Sequence, residues 1–368
     1  GCFKSCSKKS SSDLVNIDFS LINNALASLD IDGEVVNEYW KNQWEFVSLF
    51  HGQSPLKEAD NLTNAIIHLP RLFAQQGINE TLIQPVVWSG DQGKLANGSR
   101  EIFTTDTRAV HIPNAIQLNV SVTNQYGINI MPDAGFGEYL QQCFLTTSKA
   151  CCLLYLPEEE AFERFKLKSY YGLAKELCSP CDISGGHQGS IALYKEYGKH
   201  NQRMGEEPLL FDQHHNPLLS TNNWQKTARV EHRLGASSKS YNAYANVLFA
   251  LANVADAIEA YQIGIAPQLE AEPRSAIPLP TSLYSHQGVN THVENRKGAI
   301  ELFSQSTWFN ERINKVQQIM ASKTAIFSAL PINIGDAIKK QILASYQPSR
   351  IELPMTFNPN QANKTVTL

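Results

Sequence analysis

Residues 228–261, ARVEHRLGASSKSYNAYANVLFALANVADAIEAY, open on a strand and close on a helix. In Arg229-Val-Glu231-His-Arg233-Leu234 the strand period of two puts Arg229, Glu231 and Arg233 on one face. Val230, His232 and Leu234 share the other. A carboxylate between two guanidinium groups suits a divalent metal with phosphate oxygens beside it, and equally a solvated row of ion pairs. Both readings stay open on the hexapeptide. After a polar loop, a helix is expected from about Asn242, with Tyr244, Val247, Leu251, Val254, Ile258 and Tyr261 among its apolar positions. That stripe is the predicted core face, on which the charged strand would rest.

The totals frame the problem. The chain has 368 residues, 42% of them hydrophobic and 18% charged, the composition of a globular protein of one large or two ordinary domains. A net charge of -4 lacks the basic footprint of a nucleic-acid binder, so no nucleic-acid partner is expected. No apolar run reaches the roughly 18 to 20 residues needed to cross a bilayer. Seven cysteines are present; Cys151-Cys152 sits in an apolar run and reads as a pair of buried thiols. Cys178-Ser-Pro-Cys181 is a single CxxC without the second ligand pair of a zinc site. This usage suits a reducing, cytoplasmic compartment better than a disulfide framework.

Residues 1–12 read as a flexible terminus carrying an acylation signal. Gly1 with Ser5 fits an N-myristoylation pattern if an initiator Met has been removed, and Cys2 and Cys6 are palmitoylation candidates. Gly1-Cys2 also fits the end of a bacterial lipoprotein signal. Lys4, Lys8 and Lys9 would then face anionic headgroups at a membrane surface. Residues 13–80 read as a mainly helical region, with Trp40, Trp44, Phe46, Phe50, Leu69 and Phe73 in a small aromatic core.

Residues 115–123, AIQLNVSVT, form the clearest strand, with Ile116, Leu118, Val120 and Val122 on one face and Gln117, Asn119, Ser121 and Thr123 on the other. The second face is polar and uncharged, fit to line a ligand cleft or to meet water. Asp133-Ala-Gly-Phe-Gly-Glu138 is a turn into a periodic segment. Pro157 and three glutamates mark a helix start. Ile183-Ser-Gly-Gly-His187 crowds glycines around a histidine just before an apolar strand, so backbone and imidazole can both approach a ligand. Gly298 to Val316 and Ala325 to Tyr346 read as further helices, and residues 347–368 as a loosely ordered tail.

In this order the pieces resemble the later half of a glutamine synthetase catalytic domain, over about residues 160 to 312. Ser184-Gly-Gly-His187 is similar to the family's Ser-Gly-Met-His strand, and Arg229-Val-Glu231-His-Arg233 to its Arg-x-Glu-x-Arg strand. Asn242-Ala-Tyr244 keeps the spacing of its Asn-Pro-Tyr helix, and Leu279-Pro-Thr-Ser-Leu283 resembles its closing segment. The resemblance implies an α+β fold, an antiparallel sheet forming an open barrel-like cleft with helices packed outside, over residues 81–346. It implies ATP and Mg2+ (or Mn2+) as cofactors, with His187, Glu231 and Glu138 on the metal. Arg229 and Arg233 would hold the nucleotide phosphates, and Arg233 would also act on the acyl-phosphate intermediate as the catalytic residue.

Several positions depart from the family. Gly189 stands where the second histidine belongs, and Gln117, Asn119 and Ser121 stand where the family presents glutamates. A fainter resemblance, from Thr105-Asp-Thr-Arg108 and the strand after it, is to siderophore synthetases. Both resemblances imply ATP-dependent joining of a small-molecule carboxylate to an amine, by a route other than glutamine synthesis itself. The alternative expectation is a degenerate ligase fold with a binding or regulatory role, tethered to a membrane through Gly1 and Cys2.

Overall fold

The computed structural model describes residues 2–5, 16–38, 42–48, 52–78, 80–89, 110–133, 135–164, 190–195, 224–264, 279–285 and 297–346. The expected mixture of helix and sheet is present, and the described strands form three antiparallel sheets rather than a closed barrel.

The first sheet orders its strands β2 (Glu34–Asn37), β3 (Gln43–Val47), β1 (Cys2–Ser5) and β4 (Thr81–Leu82). Helices α1 (Phe19–Ser28) and α2 (Pro55–Gln75) complete this layer around a core that includes Leu26, Trp44, Phe46, Leu69 and Phe73. Both helices start on side-chain caps: Asp18 accepts from the Leu21 amide and Ser54 from the Lys57 amide, with Pro55 in the first turn. Of the aromatic core expected from sequence, Trp44, Phe46, Leu69 and Phe73 are buried together and Trp40 and Phe50 lie outside the described residues; short strands accompany the two helices of this region. Its strands are two to five residues long, too short for their alternation to register as a pattern. Residues 2–5, expected within a flexible terminus that carries an acylation signal, pair with Gln43–Glu45 on one side and Thr81–Leu82 on the other.

A two-stranded sheet, β5 (Val86–Ser89) with β6 (Val110–Pro113), leads into the second core. There β9 (Arg229–Ala236) lies between β7 (Ala115–Val120) and β8 (Ile191–Tyr194). Against one face pack α3 (Phe136–Thr147), α4 (Cys152–Tyr155) and α5 (Ala243–Ile263), with α6 (Ala299–Gln305) and α7 (Trp308–Ala321) beyond them. The two cores meet along α2. Ala59 belongs to the second core, Leu62 touches both, and the Tyr244 hydroxyl donates to Asp60 at 2.6 Å.

The strand alternation read from the sequence holds. Val230 and Leu234 are fully buried on the helix side, and Ile191, Leu118 and Val120 join them in the same core. The register slips by one residue between Ile116 and Leu118, a β-bulge in β9. Gly235 sits opposite Ile116, and a Cβ there would collide with the Ile116 carbonyl oxygen. Only glycine lets the two backbones come this close.

The long helix departs from expectation in which side it buries. Asn242 caps it by accepting from the Ala245 amide, and Gly264 ends it at φ 73°. Tyr244, Leu251 and Tyr261 from the predicted core stripe are 42%, 43% and 39% exposed. The buried side is Asn246, Phe249, Ala250, Asn253 and Ala257. Asn246 donates to the Leu154 carbonyl at 2.7 Å, and Asn253 accepts from the Thr147 hydroxyl at 2.8 Å. A helix apolar on nearly every side carries little information about which side faces in. Here short polar side chains win the interior because each has a partner there.

His232 anchors the helix side of the sheet. Its ring lies 4.7 Å from that of Tyr155, 5.5 Å from Phe144 and 5.8 Å from Phe249. The Ser148 hydroxyl stands 3.1 Å from Nε2 and itself donates to the Phe144 carbonyl at 2.6 Å, which leaves Nε2–H as the donor of the pair. Burial, reinforced by the Arg164 guanidinium nearby, lowers the His232 pKa to about 3. The unfolded chain protonates this ring below its ordinary pKa while the folded chain does not, so its contribution to stability is complete above about pH 6.5 and falls toward pH 3. Urea unfolding should therefore show stability falling by about 2 kcal/mol from this residue between pH 7 and pH 5. His232→Gln should flatten that slope, and an unchanged slope would refute the assignment.

Candidate functional site

The face of the three-stranded sheet turned away from the helices gathers the charged residues. Tyr194 pairs with Arg229 across the β8–β9 ladder, Ala192 with Glu231, and Asn119 with Glu231 across the β7–β9 ladder. Alternation then places Asn119, Tyr194, Arg229, Glu231 and Arg233 on one surface.

Each charged group is held by its neighbours. The Arg229 Nε donates to the Asn119 side-chain carbonyl at 2.8 Å, and a second guanidinium nitrogen donates to the Thr227 carbonyl at 3.1 Å. The guanidinium carbon lies 4.8 Å from the centre of the Tyr194 ring, in cation–π range. Glu231 is 6% exposed and hydrogen-bonds the Tyr194 hydroxyl. Its Oε2 stands 3.7 Å from the Arg233 Nε, an ion pair too long for a hydrogen bond. Tyr194 is 1% exposed; burial, with the Glu231 carboxylate beside it, raises the phenol pKa and keeps it a donor. The surface therefore presents two guanidinium groups, oriented by an amide, a ring and a carboxylate. Such forks match the oxygens of phosphates and carboxylates.

Of the expected metal ligands, Glu231 lies on this face. His187 lies outside the described residues. Glu138 is in the first turn of α3, where both its oxygens bind the Lys195 ammonium, at 2.7 and 2.9 Å. Lys195 and Leu193 both reach Gly137 on α3, so this pair sits on the helix side of the sheet, opposite the face that carries Glu231. The structure thus brings Arg229, Glu231 and Arg233 together and separates Glu138 from them. The sequence pattern placed Glu138 by its glycine-flanked turn; the helix that follows carries it to the other side. Among the described residues, no three His, Cys, Asp or Glu side chains converge as a metal site.

Asn119 was visible in the sequence as part of a polar strand face, and the structure gives it a partner. Tyr194 was missed as a site residue because an aromatic in an apolar strand reads as core. Only the ladder pairing with Arg229 reveals its place under the guanidinium. Among the thiols, Cys151 and Cys152 are buried as expected, and burial pushes the Cys152 thiol up to about 12, far from the range of a nucleophile. No helix among the described residues is long and apolar enough to cross a membrane.

Because Glu138 and Lys195 are a half-buried pair that ties α3 to the end of β8, Glu138→Gln should cost about 1 kcal/mol in urea unfolding. An unchanged unfolding midpoint in this variant would refute the role given to the pair.

No protein-family model matches the sequence, and no curated protein matches it. Solved structures do. One is the crystal structure of a novel glutamine synthase homolog, similar with a TM-score of 0.51 and 14% identity over 94% of this chain and 69% of that one. Another is GmaS in complex with ADP, in its conformation 1, with a TM-score of 0.51 and 11% identity over 94% of this chain and 68% of that one. Neither speaks for the siderophore-synthetase resemblance. At this identity the likeness is one of fold, and the chain has a glutamine-synthetase-like fold.

Proposed function

We propose that the protein is an ATP-dependent carboxylate–amine ligase that holds nucleotide phosphates on the sheet face of Arg229, Glu231 and Arg233. The observation that carries the reading is the pair of guanidinium groups set on alternate residues of a central strand, with the buried Glu231 between them. The glutamine-synthetase-like fold supports the class of reaction, and the ADP bound by GmaS supports a nucleotide.

ATP, when bound, supplies a phosphoryl group that turns a poor leaving group on a carboxylate into a good one. The chain's part is positioning and charge. Arg229 and Arg233 pair with phosphate oxygens, and Arg233 is the group assigned to the phosphate that departs as the amine attacks the carbonyl carbon. Asn119 and the Tyr194 ring hold the Arg229 fork in place, so little orientational freedom is lost on binding. Mg2+ or Mn2+ is not accommodated by the described donors alone, since Glu231 is the single carboxylate that these strands place on the face. No step is therefore assigned to a metal.

A second reading is a ligase fold that binds nucleotide without joining substrates. Asn119 favours it: directly across from Glu231, a neutral amide stands where a second carboxylate would complete an acidic pair. The two readings share a binding site and differ in turnover.

Isothermal titration of ATP, with and without MgCl2, should show binding to wild type and a loss of about tenfold or more in Arg229→Ala and Arg233→Ala. Absence of binding to wild-type protein sinks both readings. Where ATP binds, phosphate release that requires both a carboxylate and an amine identifies the ligase. Binding without release across a screen of such pairs decides for the second reading.

A further inference from the structure

We infer that Tyr194 is the positioning residue that aligns the two arginines of this face with each other, carrying Arg229 on its ring and reaching Arg233 through Glu231. The alignment rests on the proposed phosphate site and names the side chain that sets its geometry.

The register of the β8–β9 ladder makes such a link available. Tyr194 stands directly across from Arg229, and the strand period puts both side chains on the same face. Across from Glu231 stands Ala192, whose methyl group offers a carboxylate no hydrogen bond. The donor that β8 gives Glu231 is the diagonal one, the Tyr194 hydroxyl. Diagonal neighbours on a sheet face are about 7 to 8 Å apart, a span within reach of an aromatic side chain. The phenol thus crosses from Arg229 at its ring face to Glu231 at its tip.

Both ends are engaged. The Arg229 guanidinium carbon lies 4.8 Å from the ring centre, and the Oε2 of the glutamate that the hydroxyl bonds stands 3.7 Å from the Arg233 Nε. Guanidinium forks ride on long flexible stems, and they meet phosphate oxygens in a fixed geometry only when they are held from behind. Arg229 has other supports, the Asn119 amide and the Thr227 carbonyl among them; Tyr194 touches both this arginine and the glutamate. Burial, with the Glu231 carboxylate beside it, raises the phenol pKa, so the hydroxyl stays a donor through neutral pH. The ring is fully buried, so it acts through the residues it touches rather than on a ligand.

The test is calorimetric titration of ATP into the full chain and its variants, with or without MgCl2, whichever gives the tighter wild-type binding. Tyr194→Phe keeps the ring and removes the hydroxyl, and should weaken ATP binding by about threefold to fivefold. Tyr194→Leu removes both contacts and should weaken it by about tenfold or more. Affinity within about twofold of wild type in Tyr194→Phe overturns the inference, whatever Tyr194→Leu does, and leaves the phosphate site standing. Absence of ATP binding to wild type overturns the inference together with the site. Double-mutant cycles separate positioning from general damage to the fold. In an Arg233→Ala background the effect of Tyr194→Phe should shrink below about twofold, because the hydroxyl acts on that arginine through Glu231. In an Arg229→Ala background the difference between Tyr194→Phe and Tyr194→Leu should likewise shrink below about twofold. Losses that multiply unchanged in these backgrounds overturn the positioning role. Where Tyr194→Leu does not fold, the cycle of Tyr194→Phe with Arg233→Ala decides alone.

Discussion

Strand β9 is bonded on both edges, and that constraint organises the second half of the molecule. With β7 on one side and β8 on the other, its backbone groups are engaged in ladders and its register is fixed. A slip of one residue would carry His232 and Val230 out of the core and put Arg229, Glu231 and Arg233 into it. The core side forbids this, because His232 is wedged among three aromatic rings and Val230 and Leu234 are fully buried. The charged side inherits its geometry from that packing. Gly235 belongs to the same constraint, since the bulge that ends the regular pairing needs a residue without a side chain.

Much of this was legible in the sequence and some was not, for different reasons. The alternation of β9 and β7 could be read because a period of two leaves little freedom once one face is apolar. The start of α5 could be read because an Asn cap is a local device. The buried side of α5 could not, because apolar residues occur nearly all round the helix and the decision rests with Asn246 and Asn253, whose partners lie some ninety or more residues earlier in the chain. The short strands of the first sheet escaped for want of length. Glu138 shows a further limit: a turn signal says that the chain reverses, not on which side of a sheet it emerges.

The candidate site followed the same division. Its charges were visible as Arg-x-Glu-x-Arg. What those charges do was not, because it depends on what lies across the ladder. An amide stands opposite Glu231, and an aromatic ring lies beside the Arg229 guanidinium, where the motif alone leads one to expect further carboxylates. The glutamine-synthetase-like fold and this departure coexist. A sheet of this design can keep its strand order while the residues on its working face change, since those residues lie on the side away from the core.

The placement of residues 2–5 bears on how the first sheet assembles. This strand lies between β3 and β4, so it joins into one sheet two elements that share no ladder with each other. Its partners are distant in sequence, Cys2 opposite Glu45 and Ser5 opposite Thr81. A ribosome releases this segment long before either partner exists. β1 can pair with β3 once residue 47 has emerged, while its other edge stays open until residue 82, so completing the sheet is a non-local event. The earliest-made strand of the sheet thus gains its second neighbour only from the latest-made one.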